Sequence, residues 1–327
     1  MLADLPQQRD VGAKTRTRAT ANRGLGRDAG GHSNRNVLIA RLFGGLGNQL
    51  FIYASGRGLA ARLGREFLLD VASGFERDPY QRKYRIQAFN VRVAPAQGRD
   101  CFAYHGGRFH RAFRIAVNKH RPLHRRTYIR EQHIRAEDLD GPLAAPVVYL
   151  DGYWQQSSYF ERIAPELRRE LTLRYPLSPN VAAIERTVLT ECSVAVHLRG
   201  LPGTSTTGKL VSHLPKLPPA YYQAAVDLVR NRLESPRFVI FSDGADPSWL
   251  REICPGAILV PERCPGAQDY EELWLMSRCK HHIIANSTFS WWGAWLQNAS
   301  GHLVFSPRME RYGQTMNLPP DWMVVDG

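Results

Sequence analysis

The residues best suited to chemistry lie between Asn286 and Leu296, in the segment Asn-Ser-Thr-Phe-Ser-Trp-Trp-Gly-Ala-Trp-Leu. Small polar residues follow an apolar run at 283–285, which predicts a buried strand, a polar turn and then a helix. The first backbone N–H groups of a helix have no partner within the helix, so with nearby hydroxyls they form an anion site. The segment therefore predicts contact with a phosphate. The alternative is that Asn286 or Ser287 only caps a helix whose Trp residues fill the core.

A second junction with the same order of strand, glycine-rich turn and helix occurs at residues 37–70. Gly44, Gly45 and Gly47 permit close approach of the backbone to a ligand, and Asn48 and Gln49 stand at the start of the following helix. Two such junctions, far apart in the sequence, predict one cleft built from two halves.

These motifs and several longer segments resemble the alpha-1,2-fucosyltransferase family, glycosyltransferase family 11. The resemblance runs from Val37 to about Pro307, through GGLGNQLFIYASGRGLA at 44–60, LDGYWQQSSYFERIAPELRREL at 150–171, HLR at 197–199, YYQAAVDLV at 221–229, FSDG at 241–244 and ELWLMSRCKHHIIANSTFSWWGAWL at 272–296. It implies an α/β fold of GT-B type, with two Rossmann-like doubly wound domains facing across a cleft. It also implies inverting transfer of L-fucose from GDP-fucose to a glycan hydroxyl, with O2 of galactose as the expected acceptor atom.

A sugar transferase must hold a diphosphate, stabilise its charge and orient an acceptor hydroxyl. Arg199 is the leading candidate for the charge, because it follows a predicted strand and its planar guanidinium suits phosphate oxygens. His197 shares its strand face and is either a ligand contact or a buried structural histidine. Ser242 and Asp243 end another predicted strand; Asp243 either accepts from guanine or ribose or forms a turn. The expected catalytic residues are Arg199, Asn48 and His197, and the expected donor-binding residues are Gly45, Gly47, Arg199, Ser242, Asp243, Asn286, Ser287, Thr288, Phe289 and Ser290.

The chain departs from the family pattern directly after Arg199. The family has His-x-Arg-Arg-Gly-Asp, whereas residues 197–202 read His-Leu-Arg-Gly-Leu-Pro, without the second Arg and the Asp. This difference leaves two alternatives open. The first is another GDP-sugar or another fucosyl linkage, and the second is a catalytically silent protein that binds nucleotide or glycan.

No general base is singled out by the sequence. Asn48 matches an Asn that related fucosyltransferases carry near the reacting centre, but an amide takes up no proton at neutral pH. The remaining carboxylate candidates are Asp70, Glu76, Asp78 and Asp151. Asp243 and Asp246, at the end of a predicted strand, do not form the Asp-x-Asp that metal-dependent sugar transferases use, so we expect no obligatory metal and no cofactor beyond the donor substrate.

The formal charge of +13 and the pI of about 9.8 favour anionic partners. A GDP-sugar or an acidic membrane satisfies this charge, and nucleic acid is not expected because no zinc-finger, RNP or helix-turn-helix pattern is present. The five cysteines (Cys101, Cys192, Cys254, Cys264 and Cys279) show no metal spacing, which favours reduced thiols. Without an apolar run long enough for a membrane span or a signal h-region, a cytoplasmic location is predicted, with peripheral contact at the inner membrane face left open.

Composition and Pro residues divide the chain into three parts. Residues 1–36 are basic and predict a disordered tail, and Pro residues place a domain boundary near residue 177. The resemblance implies that residues 37–177 form a mainly acceptor-side domain and residues 178–327 a GDP-fucose-binding domain. Strands are predicted at 37–43, 67–71, 146–152, 193–198, 238–242, 257–261 and 282–286, and helices at 50–63, 158–174, 221–234 and 270–279.

A basic segment at Arg108–Arg130 has a separate pattern. Phe109, Phe113 and Val117 recur at helical spacing among the basic residues Arg111, Arg114, Lys119, Arg121, Arg125, Arg126 and Arg130. The segment predicts either a solvated helix face or a peripheral contact with anionic membrane that brings the enzyme to a lipid-linked galactose-containing glycan.

Overall fold

The computed structural model describes residues 35–135, 138–139, 141–199, 217–243, 246–260, 268–311, 314–315 and 318–326. The predicted tail up to residue 34, the departure from the family pattern at 200–202, Gly244 and Cys264 lie outside the described residues.

The first sheet has five parallel strands: β1 Val37–Arg41, β2 Glu66–Asp70, β3 Ala94–Pro95, β4 Tyr128–Arg130 and β5 Val147–Asp151. Their spatial order is β3-β2-β1-β5-β4. Alternate residues of β1 face opposite sides, so Leu38 and Ala40 belong to one buried cluster and Val37 and Ile39 to another. A parallel sheet buried on both faces needs helices on both faces.

The second sheet has six parallel strands: β6 Ser193–Leu198, β7 Arg237–Ser242, β8 Ile258–Leu259, β9 His281–Ile283, β10 Val304–Ser306 and β13 Met323–Val324. A separate antiparallel pair joins β11 Glu310–Arg311 to β12 Gln314–Thr315. The spatial order of the second sheet is β13-β10-β9-β6-β7-β8. The chain adds β7 and β8 on one side of β6 and then β9, β10 and β13 on the other side, so the strand order reverses between β6 and β9. Open α/β sheets bind ligands at the carboxyl ends of strands beside such a reversal.

Eight α-helices cover these sheets in the described part of the chain. They are α1 Leu46–Leu63, α2 Gly107–Lys119, α3 Ala164–Glu170, α4 Pro179–Thr190, α5 Pro219–Arg230, α6 Ser248–Ile253, α7 Asp269–Arg278 and α8 Thr288–Leu296. In the second sheet, Val194 and Val196 face the side of α5 and α6, while Ala195 faces the side of α4 and α7. The predicted α/β fold with two doubly wound parallel sheets is confirmed.

The Trp residues of α8 fill the core, as the alternative of a capped helix with buried Trp residues predicts. Trp291 and Trp292 are fully buried, and their ring centroids lie 4.6 and 5.0 Å from that of Phe51 in α1. The ring of Phe160 stacks on Trp292 at 5.5 Å. The largest buried cluster therefore joins residues from both sides of position 177, and the boundary placed there stays a prediction.

Three predicted helices differ from the structure by four residues or more at one end; the helix predicted at 221–234 is α5, which ends at Arg230. α1 begins at Leu46 rather than at 50, so Asn48 and Gln49 lie in its first turn. The helix predicted at 158–174 is short, spanning Ala164–Glu170 after two 3-10 turns, because Pro165 fixes the start of the helix.

The free cysteines among the described residues are Cys101, Cys192, Cys254 and Cys279, in agreement with the predicted thiols. In the described ranges, none of the helices combines the length and apolar character required to span a bilayer.

Candidate active site

The two predicted junctions meet directly. A Cβ atom added to Gly47 would lie 2.6 Å from the backbone N of Phe289 and 2.7 Å from the carbonyl oxygen of Thr288. Only glycine lets the first turn of α1 approach the start of α8 this closely. The structure thus gives Gly47 a packing role, and its contact with the donor stays a prediction.

The Asn48 side chain connects the two junctions by hydrogen bonds. Its Oδ1 atom accepts from the Thr288 hydroxyl at 3.0 Å and from Nε2 of Gln155 at 2.8 Å. The amide Nδ2 lies on the side of Gly44, and no described residue occupies it with a hydrogen bond. Asn48 therefore offers a ligand a donor rather than an acceptor. Sequence reasoning missed Gln155, although it lies within the segment at 150–171 that carries the family resemblance.

The neighbouring Gln49 fixes the other side of the glycine-rich turn. Its buried Nε2 donates to the carbonyl oxygens of Gly44 and Lys83 at 2.9 and 2.8 Å, and its Oε1 accepts from the backbone N–H of Arg85 at 2.9 Å. The two neighbouring side chains therefore bind different parts of the chain. Asn48 bonds to Thr288 at the start of α8, and Gln49 bonds to the backbone of the segment at 83–85.

Arg199 and Asn286 come together at the reversal point of the second sheet. Arg199 follows β6 and Asn286 follows β9, the two central strands. The Arg199 Nη1 atom donates to the Asn286 carbonyl oxygen at 3.3 Å. This bond holds the guanidinium at the carboxyl edge of the sheet, where a diphosphate would bind.

His197 lies beneath this edge and is only 4% exposed. Its ring centroid is 6.0 Å from that of Phe289, and its Nδ1 atom is buried without a hydrogen-bond partner in the described part of the chain. Burial, and then the charge of Arg199, lower the pKa of His197 to about 3. The imidazole is therefore neutral at pH 7, so it is suited to hydrogen bonding and cannot serve there as an imidazolium acid.

Ser242 and Asp243 lie beside Arg199 on the same edge. Leu198 pairs with Ser242 in the parallel register, and the Asp243 backbone N–H donates to the Leu198 carbonyl oxygen at 3.3 Å. The two residues are therefore placed next to the proposed diphosphate position, and their contact with guanine or ribose stays a prediction.

The serines of the second junction build the turn. Ser287 is the N-cap of α8, and its Oγ accepts from the Phe289 backbone N–H at 3.3 Å. Ser290 has no exposed surface, and its Oγ accepts from the Ala285 backbone N–H and donates to the Ser287 carbonyl oxygen, both at 3.3 Å. Ser290 therefore holds the turn, and its contact with the donor stays a prediction.

A basic cavity of about 210 Å³ opens beside the glycine-rich turn. Gly44, Gly45 and Leu46 line one side of it, and Arg82, Arg85 and Asp269 contribute charged groups. Burial raises the pKa of Asp269, although the charge of Arg85, 3.5 Å away, opposes this effect. No local sequence signal marks Asp269, because the carboxylate reaches the cavity through tertiary contacts: α7 packs on α8, and α8 packs on α1.

Two of the predicted carboxylate candidates are held by internal partners. Asp70 has no exposed surface and accepts from the Tyr149 and Ser73 hydroxyls, both at 2.5 Å. Asp151 accepts from Arg111 at 2.7 Å and from the Tyr128 hydroxyl at 2.6 Å. Burial alone would raise the pKa of Asp151, but these partners and Arg41 lower it on balance. Both carboxylates are structural.

The other two candidates do not reach the cavity either. Asp78 accepts from the backbone N–H groups of Tyr80 and Arg82 at 3.0 and 2.8 Å and so closes a turn, and Glu76 is exposed. Neither residue lines the cavity beside Gly44 and Gly45. No cluster of three His, Cys, Asp or Glu residues suited to a metal ion occurs in the described ranges.

Doubly wound parallel sheets with a charged side chain at a reversal point are typical of α/β proteins that bind ligands at the carboxyl ends of strands. Comparison with known proteins identifies the family: residues 130–324 match the model of glycosyl transferase family 11, and the chain belongs to this family.

Relatives of known activity include an alpha-1,2-colitosyltransferase of Escherichia coli. It is 29% identical over 301 residues, which cover 89% of this chain and 99% of the relative. Galactoside alpha-(1,2)-fucosyltransferase 1 of Aotus azarae is 27% identical over 179 residues, which cover 50% of this chain and 46% of the relative.

Among solved structures, fucosyltransferase NodZ from Bradyrhizobium is similar to this chain with a TM-score of 0.46 and 17% identity, covering 80% of this chain and 92% of NodZ. A mutant of Arabidopsis thaliana FUT1 in complex with GDP has a TM-score of 0.48 and 10% identity, covering 85% of this chain and 71% of that protein. The sequence match is the basis for family membership, which confirms the resemblance found in the motifs.

Proposed function

We propose that this glycosyltransferase moves L-fucose, or a closely related deoxy sugar, from a GDP donor to a hydroxyl of a glycan, with inversion at the anomeric carbon. The observation that carries the proposal is the meeting of the two junctions. Asn48 from the first half bonds to Thr288 at the start of α8, whose neighbour Phe289 contacts both Gly47 and the ring of His197. Arg199 stands at the carboxyl edge of the second sheet, where it bonds to Asn286 of the second junction.

The donor diphosphate is placed on the side of the second sheet. Arg199 is held at the carboxyl edge by the Asn286 carbonyl, and no described residue bonds its other guanidinium N–H groups, so these can donate to the oxygens of a leaving diphosphate. The neutral His197 supplies beside it a nitrogen that has no partner among the described residues, which fits a phosphate or ribose hydroxyl as donor or acceptor. Charge development on departing GDP would then be stabilised by Arg199 without a metal ion.

The acceptor is placed in the cavity beside Gly44 and Gly45, with Asp269 as the general base. An inverting transfer requires a base that takes the proton from the acceptor hydroxyl while its oxygen attacks the anomeric carbon and the bond to GDP breaks. Among the described residues, Asp269 is the carboxylate that lines this cavity, and its raised pKa brings it closer to the range in which a base acts at neutral pH.

Asp269→Asn is the direct test of the base. The amide keeps the size of the side chain but cannot take a proton, so kcat should fall by about 100-fold or more. The pH profile of kcat distinguishes a base from a residue that only positions the acceptor. The acidic limb of the wild-type profile, where the base becomes protonated, should disappear in the variant. An unchanged acidic limb would assign the base to another group.

The identity of the transferred sugar has two candidates. The colitosyltransferase of Escherichia coli matches this chain over 99% of its own length. The galactoside fucosyltransferase of Aotus azarae matches over 50% of this chain. Colitose is fucose without the 3-hydroxyl group, so a site that binds this hydroxyl prefers GDP-fucose and an apolar site accepts GDP-colitose. The preferred acceptor is O2 of a galactose residue, in line with the alpha-1,2 activities of both relatives.

The experiment compares GDP-fucose and GDP-colitose as donors with a panel of galactosides, followed by linkage determination of the product. Transfer of either sugar to O2 supports the proposal. Tight binding of GDP without transfer from either donor would favour the catalytically silent alternative, and transfer to another hydroxyl would change the linkage.

A further inference from the structure

Helix α2 presents two sides of different chemistry. Its inner side is fixed to the first sheet: Arg111 Nε donates to the Tyr128 hydroxyl at 2.9 Å, Arg114 Nη2 donates to the Thr127 carbonyl at 2.6 Å, and Ile115 packs into a buried cluster. Arg111 also pairs with buried Asp151. These two arginines are structural cations, which corrects their predicted place on a solvated basic face.

The outer side of α2 is apolar. Phe109 is 80% exposed and Phe113 is 66% exposed, one helical turn apart, with exposed Ala112 and Ala116 between and beyond them. At 100° per residue these four side chains form a stripe opposite the inner side. Two phenylalanines this exposed within one turn form an apolar patch, and such exposed patches mark interaction surfaces.

Positive charge surrounds this stripe. Residues 101–130 contain eight Lys and Arg residues and no Asp or Glu. Apart from the inward-facing arginines, the exposed cations include Arg108 and Lys119 on the helix and Arg121 and Arg125 directly after it. A partner that binds this surface must therefore offer both an apolar region that the phenylalanine side chains can enter and negative charge for the flanking cations.

We propose that the outer side of α2 docks the protein on an anionic phospholipid bilayer, with Phe109 and Phe113 inserted between headgroups and the flanking cations against phosphates. An amphipathic helix with aromatic residues on one face and Lys or Arg at its margins lies in the membrane interface in this way. A second copy of the chain would bring an equally basic surface to the same place, and like charges oppose that contact. The inference does not depend on the identity of donor or acceptor.

Vesicle flotation of the full chain tests the docking surface. Wild-type protein should float with vesicles that contain phosphatidylglycerol and should remain at the bottom with phosphatidylcholine alone. The double variant Phe109→Ser/Phe113→Ser should bind at least about tenfold more weakly. Arg108→Ser/Lys119→Ser should bind about 30-fold more weakly, since each basic residue near an acidic surface contributes a factor of about five.

Matched controls separate this surface from general properties of the chain. Tyr175 is 62% exposed elsewhere, so Tyr175→Ser removes an exposed aromatic side chain without touching α2. Arg162→Ser/Arg251→Ser removes two exposed charges outside the segment. Both controls should float like the wild type, and transfer to a soluble acceptor should be unchanged in all variants.

Three results would overturn the proposal. The first is equal flotation of the wild type and the Phe109/Phe113 variant, and the second is equal flotation on neutral and anionic vesicles. The third is a wild-type dimer, seen by sedimentation, that the Phe variant dissociates while neither protein floats; this result would assign the surface to a second copy.

Discussion

Gly47 gives the most specific test of how the two halves meet. In Gly47→Ala the new methyl group would lie 2.6 Å from the backbone N of Phe289, whereas ordinary van der Waals contact begins at 3.4 Å, so α1 and α8 must separate by about 0.8 Å. The obstacle is backbone, so no side-chain rotation relieves it. Overpacking of this kind costs about 1–3 kcal/mol. The separation also stretches the 3.0 Å bond from Thr288 to Asn48, whose loss costs about 1 kcal/mol more.

Gly45→Ala is the matched control in the same turn. A Cβ at Gly45 would have Arg82 Nε as its nearest neighbour, at 3.9 Å, and the backbone φ of −72° suits any residue. The free energy of unfolding should change by less than about 1 kcal/mol. Since the added methyl group faces the cavity, however, KM for the acceptor should rise. Urea denaturation and steady-state kinetics measure the two effects. Equal stability of the two variants, or greater destabilisation by Gly45→Ala, would refute the packing role of Gly47.

Three further outcomes are expected. Arg199→Lys keeps the charge but loses the planar fork, and kcat/KM should fall by about 30- to 150-fold, corresponding to about 2–3 kcal/mol; full turnover would remove Arg199 from the site. Transfer should continue in excess EDTA, and loss of activity restored by Mn²⁺ or Mg²⁺ would contradict the metal-independent scheme. His197 and His282 are buried and their pKa values are lowered by burial, so the unfolded chain takes up protons first as the pH falls below about 6.5. The free energy of unfolding should therefore drop by at least about 3 kcal/mol between about pH 7.5 and pH 5.5, and replacing both imidazoles with Asn should remove about that much of the loss. A smaller loss should remain in this variant, because burial also lowers the pKa of His302 to about 4.

Sequence pattern predicted the framework of the site well. The apolar run at 193–198 is strand β6 with the same bounds, and Arg199 directly follows it at the edge. A strand buried on both faces is marked by its own residues, so its prediction requires no tertiary information. The two junctions were also found from local composition.

The remaining features depend on contacts between distant segments. The sequence pattern predicts the start of α1 four residues too late because glycines resemble a loop, whereas Gly47 is required by the approach of α8. The inward direction of Arg111 depends on Asp151, forty residues away. Asp269 reaches the cavity because α7 packs on α8 and α8 packs on α1, and no local pattern encodes these contacts.

The central claim is that the joined junctions carry out sugar transfer from a GDP donor. The most direct measurement incubates the purified full chain with a galactoside and GDP-fucose, and in parallel with GDP-colitose, and determines by mass spectrometry and linkage analysis whether one deoxy sugar has been added. We expect a product of inverted configuration linked to O2 of galactose, formed by the wild type and strongly reduced in Arg199→Lys. Absence of product from both donors across the acceptor panel, with GDP bound and the fold intact, would contradict the account.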